Sequence, residues 1–153
     1  LAIVLLLFCT VICGCAGSTS GGMKVDRMLI ASKVLRNRMK IQIHPNAVIR
    51  TKMDGVVQEE NIQSLVMTFI VAYIMLTIIG TIVYAMFGYD LLTSFSASVA
   101  CISNVGPGFG EVGAMDNYSE LPSVLKLGST ILMLIGRLEI FGFIQLLFIR
   151  SWK

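Results

Sequence analysis

Long apolar stretches separated by short polar ones dominate the chain. The 25 residues from Ser64 to Gly88 carry no charged side chain. As an α-helix they would measure about 37 Å, enough to cross the roughly 30 Å hydrocarbon core of a bilayer with some tilt. Other apolar segments cover residues 1–13 and 123–149. The pattern therefore predicts spanning helices at 62–88 and 123–149, and half of another at the start of the chain.

A shorter apolar segment lies between the two long ones. Residues 91–102 predict a helix of less than about 20 Å, too short to cross a membrane, and Asp90 is expected to cap it. The sequence "SNVGPGFG" that follows, named here the 103–110 loop, excludes a helix because of its glycines and proline. Irregular backbone is not tolerated facing lipid. We therefore expect this loop to be buried in protein or to line a water-filled path.

A second irregular segment follows the first apolar run. Residues 14–22, "GCAGSTSGG", contain four glycines and are named here the 14–22 loop. The loop is predicted to break a spanning helix, and a helix resumes beyond it and runs to about residue 40. Residues 41–60 are predicted to form a short β-hairpin or an extended loop, with the turn at "MDG".

Composition and charge place the chain in a membrane and orient it. Hydrophobic residues make up 56% of the sequence and charged residues 14%, against about 25% charged in soluble domains. Eight of the twelve Lys and Arg residues lie between Lys24 and Lys52, and none lies in 107–122. Because basic loops stay in the cytoplasm, residues 24–60 and the C-terminus are predicted inside and 107–122 outside. Topology explains the basic block, and with no aromatic residues for base stacking no nucleic acid is expected as a partner.

The remaining candidate chemistry is sparse. The four cysteines lie in or beside apolar segments and are expected to be reduced and packed as small apolar groups. The only histidine, His44, lies in the basic loop. No catalytic nucleophile with a base and no set of metal ligands is apparent, so we predict that the protein is not an enzyme.

The start of the chain permits two interpretations. It begins at Leu1 inside an apolar run, without methionine or a basic leader, so we expect an upstream part to be missing. Alternatively, "LLLFCTVICGC" resembles the apolar core of a signal peptide, with Cys15 as a lipid-modified cysteine. The missing charged leader and the apolar remainder of the chain disfavour this alternative.

The 103–110 loop has the chemistry of a cation path. A short helix ending inside the membrane directs the negative end of its dipole at the residues that follow. Carbonyl oxygens of a tight loop can replace the water shell of a cation, and Gly106 and Gly108 permit the backbone angles this needs. We place Ser103, Asn104, Val105 and Gly106 on the ion path. The alternative is a structural or lipid-anchored membrane protein whose loop packs without an ion.

Several motifs, in order, carry a family resemblance. The segments "GCAGSTSGG", "MKVDR", "HPNAV", "NVGPGFGEVG", "LPS" and "GRLEIF" together resemble the C-terminal part of the TrkH family. Its members are the membrane subunits of bacterial Trk-type K⁺ uptake systems, and the wider group includes KtrB and HKT transporters. The resemblance covers essentially the whole chain.

The resemblance implies an architecture. Four repeats of helix, pore helix, loop and helix surround one pore, and each contributes a quarter of the K⁺ filter with a key glycine, here Gly106. Residues 1–40 would end the third repeat, 41–60 would form a cytoplasmic loop, and 61–153 would form the fourth repeat. This chain is then an all-α fragment of a K⁺-channel-like pore.

The resemblance also implies a gate and partners. The 14–22 loop would lie below the filter and act as a gate with Arg137. Its residues are Gly14, Ala16, Gly17, Ser18, Thr19, Ser20 and Gly21. Expected partners are the lipid bilayer of the inner membrane, a second subunit in a homodimer, and a cytosolic TrkA-like nucleotide-binding ring. The resemblance implies K⁺ as the transported ion, and no bound cofactor is expected. Channel-like passage and coupling to H⁺ or Na⁺ both stay open.

Arg137 lies near the middle of its apolar segment. A charge at that depth costs at least about 2.5–3.5 kcal/mol, so the side chain should face the protein interior. It either binds loop carbonyls as structural support or stands beside the pore, where the resemblance places it, and the two roles are compatible. Glu139 lies about 200° further round a helix and is expected to pair with Lys24 or Arg27.

Overall fold

The structure is a computed structural model that describes residues 1–12, 14–15, 17–18, 21–44, 51–53, 56–113 and 118–138. Apart from one two-stranded hairpin, the regular structure over these residues is helical, which confirms the predicted all-α class. The helices are α1 (Ala2–Val11), α2 (Val25–Ile43), α3 (Glu60–Met86), α4 (Leu91–Ser103) and α5 (Ser123–Arg137). Two short 3-10 turns, Gly110–Val112 and Tyr118–Glu120, lie between α4 and α5. The predicted continuation of α5 to residue 149 lies outside the described residues.

Helix α2 is longer than the sequence pattern indicated. It ends at Ile43, inside the predicted 41–60 loop, and His44 leaves helical geometry with φ −127° and ψ 82°. The next residue in the sequence is Pro45, and a proline disfavours helical conformation at the residue before it. The proline, rather than the change in polarity near residue 40, therefore sets the end of this helix.

A short hairpin joins α2 to α3. Strands β1 (Lys52–Met53) and β2 (Val56–Val57) pair antiparallel, with Lys52 opposite Val57. The predicted turn residues between them lie outside the described residues. The hydroxyl of the buried residue Thr51 accepts a hydrogen bond from Asn37 of α2 (3.0 Å) and donates one to Gln63 of α3 (3.3 Å). The hairpin is thereby anchored to both helices.

Helix α3 is the element with the clearest membrane character. Among the described residues it is the one helix long and apolar enough to cross a bilayer. Its buried positions recur every three or four residues, which is the spacing of a single helix face. They are Val66, Phe69, Tyr73, Thr77, Gly80 and Tyr84. This face packs on α4, and the rest of the surface carries exposed aliphatic side chains.

Helix α4 lies between α3 and α5 and forms the centre of the structure. One apolar cluster surrounds its C-terminal end and is formed by Met23, Phe69, Tyr73, Ile102 and Ile135. A second surrounds its middle and is formed by Tyr84, Ala97, Val112, Leu121 and Leu125. Both the 14–22 loop and the 103–110 loop are adjacent to this helix, so α4 positions the candidate site.

Candidate functional site

Helix α4, which leads into the 103–110 loop, is largely enclosed by the rest of the protein. Ten of its 13 residues are buried. Its serines are satisfied inside the protein, since Ser98 donates to the Thr77 carbonyl of α3 at 2.9 Å. Asp90 is the N-cap residue, but its side chain makes no capping hydrogen bond, contrary to our prediction. Its backbone carbonyl accepts from Ser94 N–H at 2.8 Å instead. Helix α4 therefore starts with a backbone hydrogen bond and without a side-chain cap.

The C-terminus of α4 is closed by an asparagine in the left-handed conformation. Asn104 has φ 56° and ψ 34°. Its N–H bonds to the Cys101 carbonyl at 3.1 Å, and the Val105 N–H bonds to the Ala100 carbonyl at 3.1 Å. This is the Schellman arrangement, with asparagine in the place usually taken by glycine. The Asn104 amide also donates to the Met133 carbonyl of α5 at 3.1 Å, so the cap is bonded to the neighbouring helix.

Two glycines stand against the last carbonyls of α4. A Cβ on Gly21 would lie 3.1 Å from both the Ile102 and Ser103 carbonyl oxygens. A Cβ on Gly136 would overlap the Ile102 carbonyl oxygen and lie 2.8 Å from its carbon. Only a residue without a side chain allows the 14–22 loop and α5 to approach this closely. The negative end of the α4 dipole is therefore bordered by backbone from both elements.

The four residues predicted to form the ion path follow one another from this point. The Ser103 side chain is buried, and its hydroxyl forms a 2.8 Å hydrogen bond with the Tyr73 hydroxyl of α3. Asn104 and Val105 are exposed, and Gly106 is partly exposed. Gly106 has φ +102°, and no atom lies within 4 Å of a Cβ built there. Glycine at this position thus serves backbone conformation and not lack of space.

The rest of the 103–110 loop returns alongside α4. The Gly108 N–H bonds to the Val112 carbonyl, and the Phe109 N–H bonds to the Ser96 hydroxyl, both at 2.9 Å. A Cβ on Gly110 would overlap the Thr93 hydroxyl. Backbone and serine contacts therefore hold the later part of the loop against α4. Residues 104–106 take no part in these contacts.

Two tyrosines that sequence reasoning did not include complete the surroundings of the loop. Tyr73 binds Ser103, as described above, and Tyr118 donates its hydroxyl proton to the Gly106 carbonyl at 3.0 Å. Tyr118 lies in the segment predicted to be external, and burial raises the pKa of its hydroxyl above the ordinary tyrosine range. The sequence offers no distance signal for either contact, because the partners are 30 and 12 residues apart.

Backbone hydrogen bonds join the segments on either side of the 14–22 loop, next to the end of α1. The Met23 N–H bonds to the Val11 carbonyl and the Val25 N–H to the Gly14 carbonyl, both at 3.2 Å. Gly14 and Gly17 have φ of +83° and +76°, values that glycine adopts without strain. Ser18 donates its N–H to the Cys15 carbonyl, and Gly21 meets α4. The predicted gate residues Ala16, Thr19 and Ser20 lie outside the described residues.

Arg137 directly follows the glycine that contacts Ile102. It is the last residue of α5, and its side chain is exposed in the described part of the chain, whereas we predicted that it faces the protein interior. Glu139 lies outside the described residues, so its pairing with Lys24 or Arg27 stays a prediction. The Arg27 guanidinium lies 4.0 Å from the centre of the Phe69 ring, a cation–π geometry. The site thus combines peptide oxygens, glycine contacts and a cationic side chain one residue from them.

Comparison with known proteins gives one consistent result. A family described as "TrkH: Cation transport protein" matches residues 1–151. The Trk system potassium uptake protein TrkH of Vibrio parahaemolyticus is 37% identical over 150 residues, which is 98% of this chain and 30% of that protein. TrkG of Escherichia coli is 34% identical over 151 residues, covering 99% of this chain and 31% of that protein.

A solved structure is similar as well. The crystal structure of the potassium transporter TrkH from Vibrio parahaemolyticus superposes with a TM-score of 0.84 at 36% identity. The match covers 98% of this chain and 32% of that chain. The present chain thus spans about a third of the length of the proteins it resembles.

Proposed function

Because the chain belongs to the TrkH family of cation transport proteins, we propose that it forms the C-terminal part of a membrane subunit for potassium uptake. The relatives named as potassium uptake proteins support the choice of ion. The observation that carries the proposal is the end of α4. There the helix stops within protein, and its last carbonyls are followed directly by the exposed backbone of residues 104–106.

In this proposal Ser103, Asn104, Val105 and Gly106 form one quarter of the selectivity filter. Their peptide oxygens replace water around a K⁺ ion, and the negative end of the α4 dipole adds to the attraction. Ser103 contributes its carbonyl, because its hydroxyl is engaged by Tyr73. The other three quarters come from repeats outside this chain. No covalent chemistry is part of the mechanism.

The gate in this proposal consists of the 14–22 loop and Arg137. Support comes from Gly21 and Gly136, which approach the same Ile102 carbonyl from opposite elements. A shift of the loop therefore changes the surroundings of the inner end of the filter and of the adjacent arginine together. A fixed positive charge beside the pore raises the energy of a passing cation. Because a charged side chain at membrane depth is costly in free energy, it has to lie in a protein environment.

We further propose the assembly and orientation that the family and the charges favour. Two subunits form a dimer in the inner membrane and bind a cytosolic TrkA-like nucleotide-binding ring. The basic segment 24–60 and the C-terminus face the cytoplasm, and residues 107–122 face outward. The exposed aliphatic surface of α3 supports contact with lipid.

The filter assignment is tested by Gly106→Ser in the full-length protein. A side chain at φ +102° strains the backbone by about 1–3 kcal/mol and turns the filter carbonyls. We expect the K⁺/Na⁺ flux ratio to fall by about tenfold, which corresponds to about 1.4 kcal/mol of discrimination. The matched control is Gly88→Ser, with φ +91° and equally open space at the turn after α3. An unchanged ratio in Gly106→Ser, with normal K⁺-dependent growth, would favour the structural alternative without an ion path.

The gate assignment is tested by Arg137→Ala, with Arg137→Lys as the control that keeps the charge. We expect Arg137→Ala to raise K⁺ flux per molecule in vesicles, because a barrier to cations has been removed. The lysine variant should stay near the original flux. If the alanine variant only lowers the amount of folded protein and leaves flux per molecule unchanged, Arg137 is structural support and the gate proposal is wrong.

The orientation is tested by cysteine labelling in a background without the exposed Cys9 and Cys15. A cysteine at Glu111, which is exposed, should react with a membrane-impermeant reagent added outside. A cysteine at Arg38, exposed on α2, should react only after the membrane is opened. The reverse pattern would overturn the proposed sidedness.

A further inference from the structure

Tyr118 contacts the proposed filter but does not belong to α4. It lies in the 3-10 turn Tyr118–Glu120. Its hydroxyl donates to the Gly106 carbonyl at 3.0 Å. Its ring packs on the second apolar cluster, which includes Ala97 of α4 and Leu125 of α5. Packing therefore holds the half-buried ring of Tyr118 in place. Its hydroxyl contacts a glycine, the residue type with the greatest backbone freedom.

The hydrogen bonds around Tyr118 fix the direction of its proton. The Cys101 thiol lies 4.0 Å from the Tyr118 oxygen as a weak donor. The tyrosine oxygen accepts on that side, and its proton is directed to Gly106. Burial raises the pKa of Tyr118 further above the ordinary tyrosine range, so the hydroxyl keeps its proton at neutral pH.

We propose that Tyr118 is a positioning residue of the filter, which sets the direction and field strength of the Gly106 carbonyl. The inference rests on the proposed function, because it assumes that this carbonyl contacts the ion. No atom lies within 4 Å of a Cβ built at Gly106, and its φ of +102° is one that glycine adopts without strain. A peptide of this kind rotates unless something holds its oxygen, and the Tyr118 hydroxyl supplies such a contact.

Loss of the hydrogen bond between Tyr118 and Gly106 should change the K⁺/Na⁺ selectivity more than the rate of transport. Discrimination between K⁺ and Na⁺ depends on the number and field strength of the carbonyl dipoles that face the ion. A hydroxyl bonded to one of these oxygens restricts its rotation toward the smaller ion and withdraws electron density from it. Without the hydroxyl, the Gly106 carbonyl can close on Na⁺, and the filter becomes less selective.

The test compares two tyrosines of the same cluster in the full-length protein. Tyr118→Phe removes the bond to Gly106 and keeps the ring. Tyr84→Phe removes a hydroxyl of the same cluster that bonds to Ser129 of α5 instead. We expect the K⁺/Na⁺ flux ratio in vesicles to fall by about threefold to tenfold in Tyr118→Phe, the range expected for one neutral hydrogen bond. Tyr84→Phe should leave the ratio unchanged.

Restoring the hydroxyl gives a second measurement. A fluorinated tyrosine incorporated at position 118 keeps the donor in place and should return the ratio to that of the original protein. Equal losses in both phenylalanine variants, or no recovery with the fluorinated residue, would show that packing is responsible and would overturn the proposal.

Gly106→Ser separates this proposal from the filter assignment. If Gly106→Ser lowers the ratio and Tyr118→Phe does not, the filter stands and the role of Tyr118 is refuted. If neither variant changes the ratio, both proposals fail together.

Discussion

Helices α3 and α4 are both apolar, but α3 is mostly exposed and α4 is mostly buried. Helix α3 has 27 residues, of which six are buried, while α4 has 13 residues, of which ten are buried. The lengths correspond to about 40 Å and about 20 Å. The longer helix can satisfy its backbone and face lipid. In the proposed arrangement the shorter one ends at membrane depth, where irregular backbone has to be surrounded by protein.

The side chains follow the same division. The buried face of α3 includes Tyr73, Thr77, Gly80 and Tyr84, while its exposed face is aliphatic. Helix α4 buries five residues that are serine or threonine. Polar and small residues therefore lie inside, where hydrogen bonds and close approach hold helices together in a membrane. The comparison teaches that apolar character alone does not identify the core of this protein.

The largest effect should come from closing the gap at the end of α4. In Gly136→Ala the new methyl group would collide with the Ile102 carbonyl, which is backbone and cannot rotate away. We expect a loss of about 3 kcal/mol of stability, the upper part of the range for overpacking, and loss of K⁺ uptake. Thermal unfolding of the purified protein in detergent measures the first, and K⁺-dependent growth measures the second.

Gly128→Ala is the matched control on the same helix. No atom lies within 4 Å of a Cβ built at Gly128, and alanine favours a helix over glycine by about 1 kcal/mol. This variant should be as stable as the original protein or slightly more so. Equal destabilisation of the two variants would mean that α5 does not contact the end of α4 as described.

A smaller effect should separate the two faces of α3. In Gly80→Ala the methyl group would overlap the Ser98 hydroxyl, which would have to give up its bond to Thr77. We expect a cost of about 1–2 kcal/mol, since one side chain can move aside. Ile79→Ala, on the exposed face next to it, should cost less than about 0.5 kcal/mol. If Ile79→Ala proves the more harmful, that face packs on protein and not on lipid.

Much of the fold could be predicted because its signals are local. Length without charge indicates α3, a short apolar run followed by a glycine-rich segment indicates α4, and most of the positive charges lie in one block. The face of α3 that packs inward gave no contrast in hydrophobicity, because nearly every side chain on this helix is apolar. The available signal was the recurrence of polar and small residues at Tyr73, Thr77, Gly80 and Tyr84, which the search for apolar periodicity passes over.

The contacts of the candidate site could not be predicted, because they are long-range. The apolar pattern does not distinguish Gly136 from Gly128, since both are glycines in one apolar helix. The motif "GRLEIF" marks Gly136, but only the structure shows that α4 approaches it. The sequence marked Gly106 for its backbone freedom but could not show that Tyr118 would bind its carbonyl. Asp90 illustrates the reverse error, in which a favourable local signal is not used by the fold.

The smallest of these effects concerns the hydroxyl pair between the two helices. Tyr73→Phe removes the 2.8 Å bond to Ser103 and leaves the buried serine hydroxyl unsatisfied, at a cost of about 1 kcal/mol. Adding Ser103→Ala should restore part of that loss, because both partners are then apolar and the two changes are coupled. Thr68→Val, which removes an exposed hydroxyl bonded only within α3, should change stability by less than about 0.5 kcal/mol. Strictly additive losses in the double variant would mean that the two hydroxyls act independently, and that α3 holds the start of the 103–110 loop through apolar packing alone.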